Sequence, residues 1–147
     1  MVLLAKDIMD RNLLTMPDTT DAWTCALKMV EARKGYAIVT RDGPGRPAGI
    51  VTEWDFLEKV VARGADPKAV RLAEISTPTV HSCAPDTPTD EVATQMASLG
   101  VRRIIVRTGD QVVGIITSRH ILSVFRQYID KLSAEMAGYQ SQGSPLG

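Results

Sequence analysis

The chain has 147 residues, with 17 basic side chains against 17 acidic ones, 44% apolar and 23% charged residues. That length suits one ordinary domain or two small ones sharing a core, and the charge balance argues against a dedicated nucleic-acid binder, whose affinity rests on surplus Lys and Arg. There is neither a run of roughly 18 apolar residues nor a basic n-region ahead of an adequate h-region, and Cys25 and Cys83 make no disulfide framework, so the expectation is a soluble cytoplasmic protein without a membrane partner.

In chain order, "KDIM" reads as a short helical lead and "TMPDTTDA" from Thr15 as a strand end, a Pro/Asp/Thr turn and a helix start. Cys25, Ala26, Met29 and Ala32 recur at spacings of 3 and 4 and so share one helix face. Gly35 follows and suits a C-terminal cap. "YAIVT" (36–40) and "AGIVT" (48–52) flank "RDGPGRP", whose Gly and Pro mark a hairpin turn, and a helix is expected over 53–63. The stretch 65–71 is polar, with Pro67 interrupting any helix, and reads as a linker.

The whole order then recurs. "LAEI" stands for "KDIM", and "SCAPDTPTDE" from Ser82 stands for "TMPDTTDA". Val92, Ala93, Met96 and Leu99 repeat the first helix face 67 positions on, with Gly100 as cap. "RRIIVR" (102–107) and "VVGIIT" (112–117) flank the tighter "TGDQ", and a helix follows over 118 to about 133. The second hairpin is two residues shorter, so "GIVTEWDFL" (49–57) and "GIITSRHIL" (114–122) lie 65 apart. The expected units are 5–64 and 72–130, with 131–147 a helix end and, from Gly138, a disordered tail. Each unit is about 60 residues, a size at which an isolated core is marginal. Strands apolar at nearly every position want cover on both faces. Own helices cover one face, and the twin sheet most simply covers the other.

This succession, helix, strand, "APDTPTDEVATQMASLGVRRIIV" and "GIITxxxIL", resembles the cystathionine-β-synthase (CBS) domain, here as a tandem pair or Bateman module over roughly residues 5–128. The resemblance implies an α+β fold of two CBS repeats packed sheet to sheet about a pseudo-two-fold axis. It implies a non-catalytic regulatory module that binds adenine nucleotides (AMP, ADP or ATP, with or without magnesium) between the repeats. S-adenosylmethionine is the second choice of ligand. A homodimer and an unknown regulated protein in trans are the implied partners.

Carried onto this sequence, the resemblance gives Thr52 and Asp55 the ribose, Arg102 and Arg103 the phosphate, and Thr79, Val80 and Ile105 the base. Thr52 and Asp55 also read as a helix cap. A carboxylate accepts from two neighbouring hydroxyls at once, and a guanidinium fork suits phosphate. The second cleft would combine Thr117, His120, Lys34, Tyr36 and Leu14. There His120 replaces the expected Asp, so a bidentate ribose contact is lost, and binding becomes pH-sensitive if the imidazole protonates. The clefts are therefore expected to be unequal. Trp54 reads equally as a residue that stacks on a base or sits in a subunit interface, or as an exposed amphipathic Trp at a helix start, and Met29 and Met96 read as core. His81, Cys83 and Cys25 lack metal-ligand spacing, and neither a Gly-rich phosphate loop nor a nucleophile–base set is seen, so no metal, catalytic cofactor or enzymatic activity is expected. The rival reading is a scaffolding homodimer without a nucleotide.

Overall fold

A computed structural model of the chain describes residues 3–41, 47–78 and 81–141. The first repeat contains β1 (Thr15–Pro17), α2 (Ala22–Ala32), β2 (Tyr36–Thr40), β3 (Pro47–Thr52) and α3 (Glu53–Phe56), which continues as a π-helical turn over Leu57–Val61. The second contains β4 (Ser82–Cys83), α5 (Thr89–Leu99), β5 (Arg103–Thr108), β6 (Gln111–Thr117) and α6 (Ser118–Ser141). Two short helices, α1 (Ala5–Ile8) and α4 (Leu72–Ile75), lead the repeats. Each repeat forms a three-stranded sheet in which the first strand runs parallel to the second and the second antiparallel to the third. This is the expected mixed α+β architecture, given twice.

The leading helices change places. Leu72 and Ile75 of α4 are buried with Cys25, Met29, Val39 and Val51 in the first core, whereas Ala5 of α1 lies with Val92, Met96, Ile104 and Ile116 in the second. Hydrogen bonds fix the exchange: the Ala5 amide donates to the Thr87 carbonyl (2.8 Å), and the Leu72 amide to the Thr20 carbonyl (2.9 Å). Full burial of a leucine such as Leu72 is worth about 1.5–3 kcal/mol, so each repeat takes part of its stability from the other's leader.

Strand alternation sorts the other residues. Ala37 and Val39 point to the first core, Ile104 and Val106 to the second. Their neighbours Ile38, Ile105 and Ile115 are at most 3% exposed yet belong to neither core. They occupy the opposite faces, where the two sheets cover each other. At the end of that interface Arg103 of β5 lies over the ring of Tyr36 of β2.

Two local expectations change. The left-handed residue that ends α2 is Arg33 (φ 54°), while Gly100 (φ 65°) does cap α5 as expected. Gly35 instead lies against Glu53, whose carboxylate would have to turn aside for a Cβ there. Finally, α6 runs eight residues past 133 and continues through Gly138 to Ser141. The run "SAEMA" is rich in good helix formers, and one interior glycine costs only about 1 kcal/mol. Residues 142–147 of the expected tail, and 42–46 of the first hairpin turn, lie outside the described residues.

Candidate functional site

The strands β2 and β5 hold equivalent places in the two repeats, and their first residues meet at the pseudo-two-fold axis. A cavity of about 390 Å³ opens there. From the first repeat it is lined by Arg33, Lys34, Gly35, Tyr36 and Glu53, from the second by Arg102, Arg103, Thr117, Ser118, Arg119 and His120, with Asp10 from the segment after α1. Five lining side chains are fixed cations and two are carboxylates. One carboxylate is already engaged. Asp10 Oδ2 accepts from Lys34 Nζ at 2.7 Å and from Tyr36 Oη at 2.8 Å. Although burial acts to raise it, those bonds and the Asn12 amide hold the Asp10 carboxyl below its ordinary range. Tyr36 is pushed up by burial first, then by its bond to Asp10, so it stays a neutral donor.

Arg103 lines the cavity and, like Arg107 further along β5, has a buried Nε without a partner among the described residues. Its guanidinium carbon stands 5.8 Å from the Tyr36 ring centroid. A buried donor left unpaired is costly and uncommon, and an anion in the cavity would find the Arg103 guanidinium in its wall. The start of α6 opens on the same space, and the positive end of that helix favours negative charge, although the Ser118 and His120 amides are already bonded to the Arg102 carbonyl and Thr117 Oγ1.

The two motif threonines cap their helices differently. In the second repeat the Thr117 amide donates to His120 Nδ1 (3.1 Å) and the His120 amide to Thr117 Oγ1 (3.4 Å). The imidazole does the work of the missing carboxylate. Burial lowers its pKa; Asp10 opposes this, and the charges of Lys34 and Arg119 add to the lowering. In the first repeat Asp55 Oδ2 accepts from the Thr52 amide (2.9 Å) and from Thr52 Oγ1 (3.2 Å), while Oδ1 pairs with Lys59 at 3.0 Å. The Asp55 side chain is only 8% exposed.

The expected residues are therefore regrouped. Arg102 and Arg103, assigned to one cleft with Thr52 and Asp55, line the cavity of Thr117, His120, Lys34 and Tyr36 instead, because the two strand starts lie side by side at the axis. Thr52 and Asp55 do not line that cavity. Leu14 packs against the first core, where its carbonyl accepts the Ile38 amide, and does not reach the cavity. Ile105 is buried between β4 and β6. Thr79 and Val80 lie outside the described residues. Trp54 is 66% exposed on α3, away from the cavity. Cys25 sits in the first core, where burial first and Asp21 second push its thiol up to about 11, and Cys83 packs on the second. Asp10, Arg33, Glu53, Arg119 and Lys59 were not foreseen. Only Lys59 carried a local signal, four residues after an acid at a helix start.

Comparison with known proteins agrees with this architecture. The CBS domain family model matches residues 5–62 and 72–127. The hexameric CBS-CP12 protein from bloom-forming cyanobacteria superposes with a TM-score of 0.74 at 34% identity, over 82% of this chain and 70% of that one. The CBS domain pair of protein MJ0100, in complex with 5′-methylthioadenosine and S-adenosyl-L-methionine, gives 0.76 at 26% identity, over 86% and 98%. L-aspartate semialdehyde sulfurtransferase from Methanosarcina acetivorans is 31% identical over 82% of this chain, which matches only 23% of that enzyme's length. With both repeats matched and the paired sheets in place, the chain belongs to the CBS domain family.

Proposed function

We propose that the protein is a regulatory module that binds an adenine nucleotide between its two repeats, with the phosphates in the axial cavity. The observation that carries this reading is the Arg103 guanidinium, with a buried Nε that has no partner among the described residues, in the wall of a cavity lined by five cations and two carboxylates. Phosphate oxygens supply the acceptors this guanidinium lacks, and Lys34, Arg102 and Arg119 add charge. The adenosyl half is supported by a relative at 26% identity that holds two adenosyl compounds. Regulation follows if the ligand prefers one arrangement of the repeats, because a ligand shifts an equilibrium only by its differential affinity for the two states. The effect would be read by another protein or by a second copy, and the module itself does no chemistry. No helix among the described residues is long and apolar enough to cross a membrane.

The same relative favours one second reading, an S-adenosylmethionine sensor. Calorimetric titration with AMP, ADP, ATP, S-adenosylmethionine and adenosine separates them. Affinity that rises with phosphate number and collapses in Arg103→Ala supports the nucleotide reading. Preference for S-adenosylmethionine, indifferent to Arg103, replaces it. A folded protein silent to the whole series leaves a scaffolding role.

A further inference from the structure

We propose that α6 pairs antiparallel with α6 of a second copy of this chain, as a two-helix coiled coil built on Leu122, Phe125, Ile129, Leu132 and Met136. The pairing does not depend on the nucleotide reading.

Spacing points to it first. These five residues follow one another at intervals of 3, 4, 3 and 4, the a and d alternation of a heptad repeat. A seam of that period is covered along its length by another helix that carries the same period. It is open in the single chain, where the five side chains are between 39% and 67% exposed. α6 meets the body of its own chain at α1, α5 and β6, where Ile121 packs against the second core. At 1.5 Å per residue the seam runs about 21 Å along the helix, and a contiguous exposed apolar surface marks an interaction site. Ile129, Leu132 and Met136 stand past residue 127, where the family match to the second repeat ends. Three of the five seam residues therefore belong to the extension of α6 and not to the repeat.

Charge selects the occupant and its direction. The first half of α6 carries Arg119 and Arg126, whereas the second half carries Asp130 and Glu135 against Lys131. Turned end for end beside a second copy, each cationic half lies along an acidic half, and the two helix dipoles oppose each other. A parallel pair sets cations beside cations. The seam also matches itself in the antiparallel direction: Phe125 of one copy faces Met136 of the other, and Ile129 faces Leu132. The flexible Met136 thioether suits the space beside a phenyl ring. Such a contact uses the same surface on both copies, so it closes at two chains.

Sedimentation equilibrium of the full chain is expected to give twice the mass of one chain. Ile129→Lys combined with Leu132→Lys places two charges in the seam and should raise the dimer dissociation constant at least about 10-fold. Both positions are exposed in the single chain, so this variant is expected to fold as the wild type does. Direction is read by mixing Phe125→Cys with Met136→Cys under oxidised glutathione. A disulfide between the two variants, located by peptide mass spectrometry, is expected. Disulfides within each variant alone mean a parallel pair and overturn the proposal. A wild type of single-chain mass at every concentration overturns it too, and leaves the seam to a different protein or a membrane surface. So does a dimer indifferent to the lysine substitutions, which moves the interface elsewhere, such as to Trp23, Leu27, Trp54 and Leu57 of the first repeat.

Discussion

Tyr36 and Arg103 occupy the same place in the two repeats and touch each other across the pseudo-two-fold axis, ring centroid to guanidinium carbon 5.8 Å. In a perfectly repeated protein the pair would be two like residues. Here one is a neutral phenol tied to Asp10, and the other a cation with a buried, unpartnered Nε. The axis is thereby polarised, with the unpaired cation on the second repeat. Hydrogen bonds to a charged partner are worth about 1.5–3 kcal/mol, so Arg103→Ala is expected to weaken ATP binding roughly 10- to 100-fold. Adenosine, which carries no phosphate, should be unaffected. Calorimetry with the two ligands side by side checks this, and equal losses for both would assign Arg103 to the fold instead.

His120 makes stability depend on pH in a defined direction. Its Nδ1 accepts from Thr117, which requires the neutral ring, and burial, followed by the charges of Lys34 and Arg119 against that of Asp10, lowers its folded pKa. A histidine depressed on folding contributes stability that is complete above its unfolded pKa of about 6.5 and is lost as pH falls through the folded value. Melting temperature should therefore drop in the wild type as pH falls below about 6.5. In His120→Asn, whose amide oxygen can take the Thr117 bond at any pH, that portion of the drop should vanish. Parallel melting curves for the two proteins over this range would show that the cap does not titrate.

The repeat, the hairpins and the amphipathic helices were legible because each is written in local periodicity or turn chemistry. The exchange of α1 and α4 was not. Four-residue helices such as "AKDI" and "LAEI" have too few apolar positions to record which sheet they cover, and the decision is made by Leu72, Ile75 and Ala5 filling distant cores. The pooling of Arg102 and Arg103 with Lys34 and Tyr36 escaped for a related reason. Strand position predicts which face a side chain takes, but not which of two neighbouring clefts that face meets. Asp10 lies in the exchanged leader, and nothing around it in the sequence names Lys34 and Tyr36 as its partners.

That leader makes Asp10 both a brace and a brake. Asp10 binds Lys34 and Tyr36 across the repeat boundary, and its bonds are partly shielded from water, with the two charged side chains 24% and 14% exposed. Asp10→Asn keeps the shape and removes the charge, so it should cost about 1–3 kcal/mol of stability. It also frees Lys34 and leaves the cavity more positive, so affinity for ATP should rise more than affinity for adenosine. Chemical denaturation and calorimetry test the two halves separately. A variant as stable as wild type would mean the Asp10 contacts contribute nothing net.

The glycine that opens each motif is held by the leader of the other repeat, which explains its place in both copies. A Cβ on Gly49 would lie 2.6 Å from the Thr77 carbonyl oxygen, and one on Gly114 would meet the side chain of Met9. The two obstacles differ in kind. Thr77 is backbone, fixed by reciprocal amide–carbonyl bonds with Ile50 at 2.8 and 2.9 Å, whereas the Met9 thioether can swing aside. Gly49→Ala should therefore cost about 1–3 kcal/mol, the usual range for overpacking, and Gly114→Ala distinctly less. Because the Thr77 bridge continues from the Ile75 carbonyl that holds Lys59, Gly49→Ala should also shift the Lys59 ε-methylene resonance, whereas Gly114→Ala leaves it in place. Equal destabilisation by the two substitutions would show that the leaders yield equally and that the asymmetry lies elsewhere in the motif.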